Sequence, residues 1–293
     1  MTVTATMTQP IRDAAGLAVA LTIALAGCIL QNPAYDGDTV ATEGGSESGG
    51  SQSGSATLGD SEGDPICAGD GCLYLDPPPI ACFEFEELGA TLVDSRECGH
   101  DGAQSQVSAV DAVYGGGLRI SEGSSLTIPG GVWRPLASFS LSLWVALPSQ
   151  AYSETMVLLD KQGHFKLSLV PPEDPLTQNW QISCEVVDNK FIAEAAVLYT
   201  DGKWHMISCV CVAPESDPGT CEQLLLYRDG KLYQPSETGL SKPTENDSPT
   251  AIAPSFRGCI DSLQVWDRAL TQAELDALYE AGNAEPNTPC PPP

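Results

Sequence analysis

Basic residues are scarce in this chain: 13 lysines and arginines stand against 39 aspartates and glutamates, a formal net charge of −26 over 293 residues. No basic cluster offsets that excess, so the surface repels phosphate backbones, which argues against nucleic acid as a partner. Also missing is an apolar run of the roughly 20 residues that a membrane-spanning helix needs. There is no EF-hand loop, no serine elbow, and no Cys-x-x-Cys or Cys/His pair of zinc-binding type. The three histidines, His100, His164 and His205, lie near turns or on a strand, without a nucleophile beside them in the sequence. The acidity therefore points to solubility, repulsion between copies or binding of divalent cations.

Cysteine is present in excess. Eleven cysteines are too many for a reducing cytosol, and setting Cys28 aside leaves an even ten, the parity that full disulfide pairing in an exported protein requires. Cys209 and Cys211 are two apart, which on a strand puts both on one face.

Cys28 is set aside because of what precedes it. From Ala14 to Ala26 the chain is almost wholly apolar, a length suited to a signal-peptide core and too short to span a bilayer. Leu25-Ala26-Gly27-Cys28 resembles the bacterial lipobox, which implies that the Cys28 thiol receives diacylglycerol and that cleavage frees its amine for a further acyl chain. Each buried methylene adds about 0.8 kcal/mol, so several chains anchor firmly. The expectation is a signal peptide over 1–27 and a membrane-tethered mature protein. Ile29 follows the cysteine where an aspartate would signal inner-membrane retention, which leans towards the outer membrane.

Residues 28–66 form an acidic Gly/Ser-rich linker containing "ATEGGSESGGSQSGSATLGDSEGD" and no lysine or arginine, a composition that cannot bury a core and extends through self-repulsion. A Cys/Pro-rich transition follows over 67–81. Beyond it, period-two alternation dominates. In "SFSLSLWVAL", Phe139, Leu141, Leu143, Val145 and Leu147 fall on one face, and Ser138, Ser140, Ser142 and Trp144 on the other. Further strand-like runs are "HFKLSLV", "WQISCEVV", "FIAEAAVLY", "WHMISCVCV", "EQLLLYRDGKLY" and "CIDSLQVW"; Asp229-Gly230 marks a tight hairpin, because a primed turn needs positive φ. One helix is expected in "ALTQAELDALYEAG", with Thr271 and Glu274 as a capping box, an apolar stripe of Leu275, Leu278 and Tyr279, and Gly282 as its stop.

From Cys82 to Gly282 these residues resemble the laminin-G-like, concanavalin A-like jelly-roll domains. The resemblance is carried by "ACFEFEE" with "TLVDS", by "YGGGLRISEGSSLTIP" and "SFSLSLWV", and by "DGKWHMISCV" and "LLLYRDGKLY". The most specific block is "FRGCIDSLQVWDRALTQAELDALY". A glycine pair usual just before that block is replaced by "AIAPS". The resemblance implies an all-β fold, a two-sheet antiparallel jelly-roll sandwich over 82–282 with one short C-terminal helix, followed by a Pro-rich tail over 283–293. It does not imply one function, because the fold hosts lectins, adhesion modules and glycoside hydrolases.

Retaining glucanases of this superfamily carry Glu-x-Asp-x-Glu on one strand, which sets two carboxyls about 5–5.5 Å apart. Here Glu274, Asp276 and Glu280 have the wrong spacing and lie on the expected helix, while Glu84 and Glu86 share a strand face but lack the intervening aspartate. The expectation is therefore a nonenzymatic module with no catalytic residues. Family members often hold a structural Ca²⁺ through a carboxylate on the closing strand; the matching position is Asp261, with Asp94 as a helper. Trp144, on the serine-rich face of its strand, is the candidate platform for a ligand. Among possible disulfides we expect Cys259–Cys290, stapling the tail to the closing strand, and Cys211–Cys221, bridging a hairpin. The function ranked first is a membrane-anchored binding or adhesion domain for a glycan or an envelope or matrix protein; a structural envelope component comes next and a glycoside hydrolase-like enzyme last.

Overall fold

The odd-numbered apolar side chains of residues 139–147 all face a buried core, as their alternation requires. The computed structural model describes residues 72, 75–130, 138–148, 153–174, 180–186, 189–197, 199–217, 219–235, 247–283 and 288–291. The leader, Cys28 and the linker to residue 66 lie outside the described residues.

Strands run in chain order as β1 (Ala81–Phe83), β2 (Thr91–Leu92), β3 (Gly102–Ser105), β4 (Ser108–Ala112), β5 (Gly115–Ile120), β6 (Ser125–Ile128), β7 (Phe139–Ala146) and β8 (Met156–Lys161). They continue as β9 (Phe165–Val170), β10 (Trp180–Val186), β11 (Asn189–Val197), β12 (Trp204–Val212), β13 (Gln223–Arg228), β14 (Lys231–Pro235), β15 (Thr250–Ile252) and β16 (Gly258–Trp266). A 3-10 turn, Tyr199–Asp201, precedes β12, and the helix α1 (Gln272–Asn283) follows β16. Among the described residues the strands form two antiparallel sheets. One has the order β14-β13-β12-β7-β16-β5-β4, with β1 also pairing with β16; the other runs β11-β10-β9-β8-β15-β6-β3-β2. The chain is thus a two-sheet jelly-roll sandwich with one short C-terminal helix.

The inner faces of both sheets enclose the main core, which includes Leu143, Val145, Leu167, Ile182, Ile207 and Leu263. Cys184 of β10 and Cys209 of β12 are bonded across it, tying one sheet to the other. Cys72–Cys82, Cys211–Cys221 and Cys259–Cys290 are also joined, and Cys98 is disulfide-bonded as well. Strand β8 is absent from the strand-like runs of the sequence because a bulge between Val157 and Leu159 breaks its alternation, sending both Leu158 and Leu159 into the core. The "AIAPS" segment turns at Ala253, which takes φ 52° in the absence of a glycine. Its N–H donates to the Leu158 carbonyl at 2.7 Å and its own carbonyl accepts from Phe256 at 3.2 Å. Those bonds hold the residue against a left-handed cost of about 1–2 kcal/mol.

A second apolar layer covers the outside of the sheet that contains β7. Trp144, Ala146, Met206 and Trp266 meet Leu275 and Leu278 of α1 there. The helix starts as its sequence dictates: the Glu274 N–H donates to Thr271 Oγ1 at 3.3 Å, and the Thr271 N–H donates to Glu274 Oε2 at 2.7 Å. Hydrogen bonding from Arg268, 2.7 Å away, holds the Glu274 carboxyl down at about 2. Gly282 is not the stop expected of it. It lies inside α1, where a Cβ would come within 2.5 Å of Trp144 Cζ2 and 2.8 Å of the Tyr114 hydroxyl, so the glycine serves close helix-to-sheet approach. Farther along, the Cys290 N–H donates to the Gly202 carbonyl and the Trp204 indole to the Thr288 carbonyl, which lays the tail on the same outer face.

Candidate functional site

Three chain segments meet at one end of the sandwich around an open cleft of about 480 Å³. They are the turn between β5 and β6, residues 121–124; the entry to β8, residues 153–156; and residues 254–257 between β15 and β16. Because β5 belongs to one sheet and β6 to the other, the cleft straddles the mouth of the sandwich. Phe256 and Met156 form its floor, 1 % and 3 % exposed. Its walls are polar: the hydroxyls of Ser121, Ser153, Thr155 and Ser255, the carboxylates of Glu122 and Glu154, and the guanidinium of Arg257.

Local hydrogen bonds fix those walls. The Ser121 N–H donates to Ser124 Oγ at 3.0 Å, and the Ser124 hydroxyl donates to the Gln106 carbonyl at 2.6 Å. Gly123 turns at φ 88°, and a Cβ there would meet Gln106 Oε1 at 2.5 Å. On the opposite wall the Val157 N–H donates to Ser255 Oγ at 2.8 Å, leaving that hydroxyl its proton to give away. Arg257 Nη2 sits 3.5 Å from Glu122 Oε2, with the arginine side chain 48 % and the glutamate side chain 89 % exposed. An ion pair so open to water contributes little to stability, so a ligand displaces it at small cost.

Asp261 lies elsewhere, where β16 changes neighbours. Gly258–Ile260 pair with β5 and Leu263–Val265 with β1, and a bulge separates the two stretches. Its Oδ2 accepts from the Val113 and Tyr114 N–H groups at 2.9 and 3.0 Å, while the buried Oδ1 has no hydrogen-bond partner among the described residues. Burial pushes this carboxyl up to about 7, and the negative charge of Glu86 adds to the rise. A buried, unsatisfied carboxylate oxygen is chemistry that suits a hard cation.

Asp94 does not join it. Its Oδ1 accepts from the Cys82 and Arg96 N–H groups at 3.1 and 3.2 Å, and its Oδ2 from Cys98 N–H at 3.3 Å with His100 Nδ1 also 3.3 Å away. Burial acts to raise its pKa, but the bonds from His100, Cys82 and Arg96 outweigh that and leave it lowered. Asp94 is therefore a clasp for the loop after β2 rather than a helper to Asp261. Clusters of metal-binding type among the described residues group Asp94 with Cys98 and His100, and Glu84 with Cys72 and Cys82, but all three of those cysteines are disulfide-bonded.

Trp144 is 2 % exposed, stacked on Tyr279 of α1 at 5.7 Å and edge-on to Tyr114 at 6.4 Å. The helix covers the face on which the sequence placed it, so it offers no platform to a ligand. Glu84 and Glu86 do not share a strand face either: β1 ends at Phe83, and Phe85 turns at φ 58°. Glu84 accepts from Cys72 N–H and Glu86 from Gly116 N–H. His205 is held between Asp229 at 3.0 Å and Asp201 at 3.4 Å, and His164 packs against Phe139 and Phe165. No single stretch of sequence signals the cleft, because its residues come from three distant segments with no shared spacing.

The family model that matches this chain is that of the concanavalin A-like lectin/glucanases superfamily, over residues 121–276. Among solved structures, domain 4 of an extracellular arabinanase from Geobacillus stearothermophilus, in complex with arabinotriose, is similar at TM-score 0.54 and 19 % identity, covering 69 % of this chain and 98 % of that one. The binding domain of paraclostridial mosquitocidal protein 1 matches at TM-score 0.54 and 15 % identity, covering 67 % of this chain and 51 % of that one. The ligand-binding domain of botulinum neurotoxin serotype D, in complex with N-acetylneuraminic acid, matches at TM-score 0.50 and 13 % identity, covering 69 % and 50 %. No curated protein matches the sequence.

The Asp94 clasp carries a pH signature. A carboxyl whose pKa is lower in the folded state contributes stability above its unfolded value of about 3.9, and that stability is lost as pH falls through the folded value. Asp94→Asn is expected to cost about 1.5–3 kcal/mol at pH 7, the worth of charge-assisted hydrogen bonds. Unfolding curves from pH 7 down to 2 should show the gap between wild type and variant closing below about pH 4. A gap independent of pH would show that the carboxylate charge is not what organises the loop.

Proposed function

The chain belongs to the concanavalin A-like lectin/glucanase superfamily, and from that premise we propose that it is a noncatalytic carbohydrate-binding module held at a bacterial cell envelope by lipid on Cys28. The observation that carries the binding reading is the cleft at the mouth of the sandwich. Its serine and threonine hydroxyls, its carboxylates and the Arg257 guanidinium offer donors and acceptors at the density that a polyhydroxylated ligand needs. Two of the similar structures are complexes with sugars, arabinotriose in one and N-acetylneuraminic acid in the other, which supports the same reading. A glycosidase needs one carboxyl kept protonated in an apolar setting beside a second that is ionised. Glu122 and Glu154 both stand in water, which favours binding over turnover.

Tethering rests on the lipobox-like Leu25-Ala26-Gly27-Cys28 and on the acidic, Gly/Ser-rich composition of residues 28–66, which suits a spacer between lipid and domain. Ile29 leans towards the outer membrane. Among the described residues no helix is long and apolar enough to cross a membrane. A calcium ion at Asp261 would neutralise a buried carboxylate rather than take part in any reaction, a reading supported by the unpartnered Oδ1 and the raised pKa of that residue.

Three measurements test this reading. A saccharide panel titrated into the full-length protein should give binding without hydrolysis, weakened at least fivefold by Arg257→Ala; hydrolysis of a bound saccharide would make the protein an enzyme. Millimolar Ca²⁺ should raise the unfolding midpoint, by an amount reaching about 2.7 kcal/mol at a hundredfold excess over Kd, whereas magnesium at equal ionic strength should not. Asp261→Asn should abolish the rise, and a variant that still responded like wild type would remove the site. Metabolic labelling with a palmitate analogue should mark the wild type and not Cys28→Ala; equal labelling would end the lipid-anchor reading.

A further inference from the structure

We infer that the saccharide taken by the cleft is uncharged, and that Glu122 and Glu154 are the residues that turn acidic glycans away. This rests on the saccharide-binding reading above and adds the chemical class of the ligand. Among the described residues, the charged groups on the cleft walls are two carboxylates and one guanidinium, a net negative lining. Arg257 Nη2 lies 3.5 Å from Glu122 Oε2, so the guanidinium of the lining has a carboxylate beside it. A uronate, sialate or sulfate drawn to Arg257 would meet the Glu122 carboxylate beside it, with Glu154 also on the lining. The whole sequence carries a formal net charge of −26, which adds to the repulsion of an anion.

A neutral sugar meets the opposite situation. Each carboxylate accepts hydrogen bonds from two hydroxyls, the guanidinium edge donates two, and bonds to an ionised group are about twice as strong as neutral ones. The Ser255 hydroxyl, already accepting from Val157, is left to donate to a ring or hydroxyl oxygen. The Ser121–Ser124 turn and the 254–257 segment are fixed by their own hydrogen bonds, so little ordering is required when a sugar binds. Phe256, in the floor, is only 1 % exposed, so recognition falls mainly to these polar groups. Glu122 and Glu154 therefore set the specificity without being needed for the fold, since both are exposed at the rim.

The test is calorimetric titration of the full-length protein with neutral pentose and hexose trisaccharides, and with trigalacturonate as an anionic probe of the same size. A neutral trisaccharide is expected to bind at least tenfold more tightly than trigalacturonate, with the gap narrowing as salt screens the lining. Combining Glu122→Gln with Glu154→Gln should shrink the preference at least fivefold while leaving the unfolding midpoint unchanged. Trigalacturonate binding as tightly as the best neutral sugar, or a preference unaltered in the double variant, would overturn the inference while the saccharide reading stood. If no member of either set bound, the saccharide reading and the inference would both fall.

Discussion

The burial of β16 on both faces and along both edges is the constraint on which the rest of the structure depends. All nine of its residues are buried. One edge pairs with β7, and the other is divided between β5 and β1, so three strands from separate parts of the chain are held in register by it. Its inward side chains Ile260, Leu263 and Val265 close the core between the sheets, while Cys259 and Trp266 belong to the apolar layer beneath α1. A strand wet on one face would not need that second layer; this one does, and the helix and tail supply it.

From that placement follow the two polar features of the closing strand. Where its neighbour changes from β5 to β1 the ladder is interrupted, Ser262 takes φ 48°, and the Asp261 carboxylate turns to the N–H groups of Val113 and Tyr114. Where the strand begins, Gly258 passes so close to the Ala146 carbonyl and the Phe256 ring that a Cβ would meet both within 2.6 Å. That close approach pins Phe256 under the cleft and leaves Arg257 at its rim. The cleft and the buried carboxylate are thus two consequences of one strand's position.

The acidic excess is used in different ways. Asp94 spends its charge on backbone N–H groups and His100, and Glu274 spends its charge on Arg268 and the helix cap, so both are parts of the framework. Glu122 and Glu154 stand exposed at the cleft and have the freedom to face a ligand. The cross-sheet Cys184–Cys209 bond and the tail-binding Cys259–Cys290 bond stiffen the frame from which these groups project.

Local pattern was enough for the strands with clean alternation, for the Asp229-Gly230 hairpin with φ 52° and 73°, and for the capped start of α1, because period, turn chemistry and capping act over a few residues. It was also enough to place Asp261 on the closing strand. What local pattern could not decide was which faces would be covered. Trp144 shares a strand face with serines and reads as exposed, yet α1 packs onto that face from far along the chain. Asp94 carries the same carboxylate as Asp261, and only the loop around it shows that its oxygens are already taken. The cleft has no linear signature at all: Ser121, Glu154 and Arg257 become neighbours only once the two sheets close on each other, since proximity between distant segments is a property of packing and not of spacing.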